Sequence, residues 1–229
     1  MTVWPAPVAA VILDMDGLLL DTERVYRRAF IAAAARLGFE MAEDLYQGMV
    51  GLADNECFAL IKDHFGPQLR ISQYRREFAD CLQQFLCAGI PLKPGAVELM
   101  DDLAQRGLPR ALATSTNRAT AEDHLRCAGL LDRFDAIVTW EDVERGKPHP
   151  DLFLKAAREI GVAPQRCVVL EDSPLGIRGA HAAGAMPVMV PDLLAATEEL
   201  RNMCVAVVKD LYEARALLRT ARLSRRFDQ

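Results

Sequence analysis

What the chain lacks narrows it first. None of its six cysteines (Cys57, Cys81, Cys87, Cys127, Cys167, Cys204) forms a Cys-x-x-Cys pair, and none stands at zinc-ligand spacing from a histidine. Most sit among apolar neighbours, as in Arg166-Cys167-Val168-Val169, and are expected to be small buried hydrophobes of a reduced protein. Positive charge is not in excess: 27 Lys and Arg against 32 Asp and Glu leave −5, the reverse of a nucleic-acid-binding footprint. The longest apolar stretch, Val8 to Leu20, is broken by Asp14 and Asp16 and cannot cross a bilayer. The first residues, MTVWPAPVAA, lack the positive region of a signal peptide. The expectation is a cytoplasmic protein with neither a nucleic acid nor a membrane as partner. No internal repeat or low-complexity segment occurs. His64, His124, His149 and His181 show no partner pattern and are expected to be structural or exposed.

What is present is an alternation. Short apolar runs, Ala10–Met15, Arg110–Thr114, Ala136–Trp140, Cys167–Leu170 and Met186–Val190, are apolar along their whole length, as strands covered on both faces are. Helical patterns separate them at Ala96–Arg106, Ala119–Leu130, Asp151–Ile160 and Leu175–Ala183. Strand–helix–strand repetition predicts a parallel sheet wrapped by helices, an α/β fold. About 90 residues between the first two strands break the rhythm, and that stretch reads as helices at Thr22–Leu37, Asn55–His64 and Ser72–Leu86. An inserted all-helical domain is therefore expected at 21–91, with the α/β core at 1–20 and 92–229. Its return linker, Gly89-Ile90-Pro91-Leu92-Lys93-Pro94-Gly95, has hinge composition.

Four carboxylates stand out among the 32. Asp14 and Asp16 begin on one face at the end of the first strand, and Gly17 permits a sharp turn straight after them. Open α/β sheets place ligands at the carboxyl ends of their strands. Two carboxylates this close repel unless a proton or cation intervenes, and Mg²⁺, held by one or two carboxylates plus substrate phosphate, answers that need. Glu171 and Asp172 close the fourth strand in the same way, followed by the helix starters Ser173 and Pro174. Alone, either pair is an ordinary turn; together they ask for a cation. Thr114 and Ser115, at a strand end before a helix, read as a helix cap or as an anion site. Lys147, held in Gly146-Lys147-Pro148-His149-Pro150, reads as a surface lysine or as a fixed ammonium able to neutralise phosphate and carboxylate together.

These residues in this order resemble the haloacid dehalogenase (HAD) superfamily of phosphohydrolases, in the branch with a helical cap inserted after the first strand, which includes β-phosphoglucomutase and sugar-phosphate phosphatases. The matching pieces are LDMDGLLLDTE, LATSTN, GKPHPDLF and LEDSPLGIRGAHAAG, covering Asp14 to about Gly184. The resemblance implies a Rossmann-like doubly wound core and a Mg²⁺-dependent hydrolysis of a small phosphorylated metabolite. It implies Asp14 as the nucleophile that forms an aspartyl-phosphate and Asp16 as the general acid/base. It implies Mg²⁺ held by Asp14, the backbone carbonyl of Asp16 and Asp172, with Glu171 in support. Thr114 and the backbone N–H of Ser115 are implied to bind the phosphoryl oxygens, and Lys147 to offset their charge. The dehalogenases of the superfamily lack the second aspartate, so Asp16 favours phosphoryl chemistry.

Within that branch the mutases carry a His where this chain has Tyr26, and basic residues in the segment that here reads Gly48-Met49-Val50-Gly51-Leu52-Ala53-Asp54. Both departures favour a phosphatase over a phosphomutase. Cations elsewhere in the insertion (Arg24, Arg27, Arg28, Lys62, Arg75, Arg76) read as solvated helix faces, and residues around Thr22–Arg28 and Gly48–Asn55 are expected to set specificity. The tail from Leu211, with Arg215, Arg219, Arg222, Arg225 and Arg226, reads as a solvated, fraying helix.

Overall fold

Complete burial marks the two central strands of the computed structural model, which describes residues 4–49, 52 and 54–223. All four side chains of β1 (Ala10–Leu13) are buried, as are all five of β4 (Cys167–Glu171). β2 (Arg110–Thr114), β3 (Ala136–Thr139), β5 (Met186–Met189) and β6 (Ala206–Val207) complete one six-stranded sheet in the order β3-β2-β1-β4-β5-β6. Every strand pair in it is parallel. The register sets Leu13 opposite Leu112 on one side and Leu170 on the other. This is the doubly wound order, and its direction reverses between β1 and β4, where such sheets open a crevice for ligands.

Alternation divides the strand residues between two faces. Ala10, Ile12, Ala111, Ala113, Val138 and Val169 form one apolar cluster with Leu152, Phe153, Ala156 and Ala157 of α7 (Asp151–Glu159) and Ala180 of α8 (Pro174–Ala182). Elsewhere in the core, α5 (Ala96–Gln105) packs against α10 (Leu211–Arg219), α6 (Arg118–Cys127) follows β2, and α9 (Glu198–Met203) packs on α8. Arg219 and Arg222 are exposed as expected, but the terminal helix is packed rather than fraying. Leu211, Ala214 and Leu218 are buried, and Arg219 donates to Asp102 Oδ1 at 2.5 and 2.8 Å, while Arg106 reaches Oδ2 at 3.3 Å. A nearly buried carboxylate thus anchors the last helix. Arg225 and Arg226 lie outside the described residues.

The chain divides into two compact units, Met1–Asp21 with Pro91–Gln229, and Thr22–Ile90. The second is helical: α1 (Thr22–Arg36), α2 (Glu43–Gln47), α3 (Asp54–Phe65) and α4 (Ile71–Cys87). α1 and α4 form its main contact, where Phe30 stacks on Phe78 at 4.2 Å between centroids and the Tyr74 hydroxyl donates to the Phe30 carbonyl at 2.7 Å. Tyr26 lies on the same cluster, 6.1 Å from Phe78. Arg24, Lys62 and Arg76 are exposed as expected. Arg28 and Arg75 are exposed too, lying over the rings of Phe85 and Phe58, and Arg27, its side chain 42% exposed, pairs with Glu43. Val50, Gly51 and Ala53 of the specificity segment lie outside the described residues. Of the cysteines, Cys57, Cys81 and Cys167 are buried, but Cys87 and Cys127 are exposed, because they end α4 and α6 on their solvent faces.

Candidate active site

Asp14 follows β1 directly, and its N–H donates to the Leu170 carbonyl of β4 at 3.1 Å, so the backbone pins it at the point where the sheet order reverses. The residue is 5% exposed. The Lys147 ammonium, itself buried, contacts both Asp14 Oδ1 and Glu171 Oε1. The other Glu171 oxygen accepts from the Ser173 N–H at 2.8 Å and from its hydroxyl at 2.9 Å. Ser173 in turn caps α8 by accepting from the Gly176 N–H at 3.0 Å. Gly176 is required there: a β-carbon would fall 1.8 Å from Glu171 Oε1. At the other wall, Gly17 has φ +83° and a β-carbon on it would fall 2.4 Å from Asp172 Oδ2.

Charge is out of balance in this cluster. Burial, then the neighbouring Glu171 and Asp16, raise the Asp14 carboxyl to about 8 against the opposing pull of Lys147. Burial, Asp14 and Glu171 raise Asp172 to about 9. Burial works against the Lys147 charge, but Asp14 and Glu171 overcome it and push its pKa above the usual lysine range. One ammonium serves more carboxylates than it can neutralise.

The sequence reading assigned Asp14, Asp16, Asp172 and Glu171 to a metal. Among the described residues no three His, Cys, Asp or Glu side chains converge as a metal cage. The physical reason is that Glu171 is turned to Lys147 and Ser173, while Asp16 accepts from the Thr116 hydroxyl at 2.7 Å. The carboxylates left with a cation deficit are Asp14 and Asp172. Two carboxylates, completed by a backbone carbonyl, water and substrate oxygen, are what Mg²⁺ ordinarily takes, so this donor set fits that ion.

The phosphate-binding candidates lie on the neighbouring loop. Thr114 is buried at the end of β2, and its hydroxyl accepts from the Thr116 N–H at 3.1 Å, which leaves its own hydrogen free to donate. It is not the helix cap: Asn117 caps α6, accepting from the Thr120 N–H at 2.9 Å. Ser115 is exposed beside it.

A family model described as haloacid dehalogenase-like hydrolase matches residues 8–184. The chain belongs to this family. The match spans every residue of the site just described, from Asp14 to Gly176. A phosphorylated-carbohydrate phosphatase of Thermotoga maritima is 30% identical over 76% of this chain and 81% of its own length. A structure from the same organism, assigned as a β-phosphoglucomutase, is 28% identical and superposes with a TM-score of 0.84, covering 93% of this chain and 99% of that one. A family hydrolase of Deinococcus radiodurans, solved with bound phosphate and sodium, is 26% identical with a TM-score of 0.80, covering 96% and 100%. The HAD hydrolase described here is thus a phosphohydrolase of the helical-cap branch.

Two side chains of this hydrolase escaped the sequence reading. Asp192 lies just beyond β5, after Val190 and Pro191, and it holds Lys93 at 2.6 Å on the wall of a cleft of about 240 Å³ that opens beside Gly17. An aspartate just past a strand's carboxyl end was the available signal. Thr116 carried none beyond being a hydroxyl two residues from Thr114. Of the histidines, His124 is buried, with Nδ1 unpartnered, in keeping with a structural place.

Proposed function

We propose that this hydrolase dephosphorylates a small phosphomonoester, a sugar phosphate or a similar metabolite, through an aspartyl-phosphate on Asp14 and with Mg²⁺ as cofactor. The observation that carries the reading is Lys147, buried against Asp14 where the sheet order reverses. An ammonium in that place offsets charge on a carboxylate and on an incoming phosphoryl group together. Asp14 attacks phosphorus while the ester O–P bond breaks, and Asp16 gives its proton to the departing oxygen. Asp16 then takes a proton from the water that attacks the aspartyl-phosphate, releasing phosphate and restoring Asp14. Thr114 and the Ser115 N–H hold phosphoryl oxygens in both steps. Glu171 holds Lys147 in position, a role that replaces direct metal support. Asp14, Asp172 and the Asp16 carbonyl would hold Mg²⁺, which would supply electrostatic stabilisation to the transferring phosphoryl group.

The test is phosphate release from p-nitrophenyl phosphate and a panel of sugar phosphates with Mg²⁺ present, with intact mass read after rapid quench. Wild type is expected to release phosphate and to carry one phosphoryl group on Asp14. Asp14→Asn is expected to do neither, and wild-type turnover by that variant removes the mechanism.

The fold shared with the β-phosphoglucomutase-type structure favours one second reading, a phosphomutase. Conversion of β-glucose 1-phosphate to glucose 6-phosphate would support it. Tyr26 in place of a histidine, with its ring on Phe78, speaks for hydrolysis, and free phosphate as the sole product would exclude the mutase.

A further inference from the structure

We infer that Thr116 is the positioning residue for Asp16, fixing which carboxyl oxygen carries the transferable proton; the inference rests on the acid/base reading of Asp16. The Thr116 hydroxyl and Asp16 Oδ2 are 2.7 Å apart, across 100 residues of sequence. Thr116 has little freedom to be elsewhere. Its N–H is committed to Thr114 Oγ1 at 3.1 Å. The next residue, Asn117, caps α6, and the Arg118 N–H donates to Glu141 at 2.7 Å while its guanidinium reaches Asp142 and the Ile137 carbonyl. The loop is held at both ends, so its hydroxyl is delivered to Asp16 by a rigid segment.

The chemical consequence follows from donor and acceptor counting. A hydroxyl that donates to Oδ2 favours that oxygen as the carbonyl acceptor of the acid and so favours Oδ1 as the site for the proton. In the first step the Oδ1–H bond breaks and the proton passes to the departing oxygen, which keeps the electron pair of its broken bond to phosphorus. In the second step the same Oδ1 takes a proton from water. One loop therefore serves two tasks: its backbone turns the Thr114 hydroxyl towards phosphate, and its side chain holds the acid. An acid free to rotate would spend part of its time with the proton misdirected, and proton transfer is sensitive to such geometry.

The experiment uses the full chain with Mg²⁺ and a series of aryl phosphates from p-nitrophenyl to phenyl and 4-methoxyphenyl. Good leaving groups depart without protonation, whereas poor ones need the acid. For Thr116→Val, kcat/KM, which covers substrate binding and phosphoryl transfer to Asp14 but not the later hydrolysis, is expected to fall about tenfold or more for the poorest leaving group and less than about twofold for p-nitrophenyl phosphate. Thr116→Ser is expected to restore the wild-type dependence, and Thr116→Ala, which adds no methyl to the loop, to repeat the Val result. A uniform fall across the series, or a rise in KM with kcat unchanged, overturns the inference and makes Thr116 a substrate contact or a structural residue. Asp16→Asn run in parallel separates the two levels. If that variant shows no steepened dependence on the leaving group, the acid/base reading itself fails, whatever Thr116 does.

Discussion

Gly176→Ala sets two well-measured effects against each other. Gly176 lies inside α8, and alanine is the better helix former by about 1 kcal/mol. On helix propensity alone the variant gains stability. The geometry predicts the reverse. The new β-carbon would sit 1.8 Å from Glu171 Oε1 and 1.9 Å from its Cδ, inside the van der Waals radius of both. Glu171 is fully buried in the last position of β4, so it has no solvent-facing rotamer to adopt. It must give up Lys147, Ser173 or both, and breaking a buried ion pair costs about 3–5 kcal/mol. The net loss is then about 2–4 kcal/mol, which for a chain of this length lowers the melting midpoint by roughly 4–16 °C. Thermal unfolding followed by circular dichroism reads this directly. Hydrolysis of p-nitrophenyl phosphate should fall in the same variant, because Lys147 loses one of its two anchors. A variant as stable as wild type, or more stable, would show that helix propensity wins and that Glu171 does not occupy the place beside Gly176.

Lys147→Met keeps most of the side-chain volume over Phe153 while leaving Asp14 and Glu171 without their cation, so activity should fall by at least about 100-fold, read as kcat on p-nitrophenyl phosphate. The raised carboxyls of Asp14 and Asp172 predict a pH dependence of the metal-free protein. Folded, these groups keep their protons up to about 8 and about 9; unfolded, they lose them near 3.8, so the folded state binds more protons between those limits. Stability should therefore decline as pH rises from about 4 to about 9 in the presence of EDTA, measured as the melting midpoint. Mg²⁺ must displace the same protons, so the midpoint it adds should be larger at pH 9 than at pH 6; an equal or smaller increment at pH 9 would remove Asp14 and Asp172 as its ligands.

The strand runs were legible because burial on both faces leaves an unbroken apolar signal four or five residues long, and β1 to β5 stand where that signal is. β6 was missed because two residues, Ala206–Val207, are too few to carry a period, and α2 because five residues barely exceed one turn. The last helix was expected to fray. Arg219 is still more than half exposed, but it pairs with Asp102 of α5, a contact 117 residues distant that no local pattern encodes.

At the site, sequence alone determined which chemical groups end each strand. Asp14 and Asp16 after β1, Thr114 closing β2, and Glu171 closing β4 with Asp172 after it are local facts of an apolar run meeting a polar turn. Tertiary structure decided what those groups do to one another. Parallel pairing set β1 beside β4, so that Lys147 reaches Asp14 across 133 residues and Glu171 across 24. It also turned Glu171 to Lys147 and Ser173 and aimed Thr116 at Asp16. Strand ends are written in neighbouring residues; which oxygen faces which nitrogen depends on hydrogen bonds between segments that meet only when the sheet has closed.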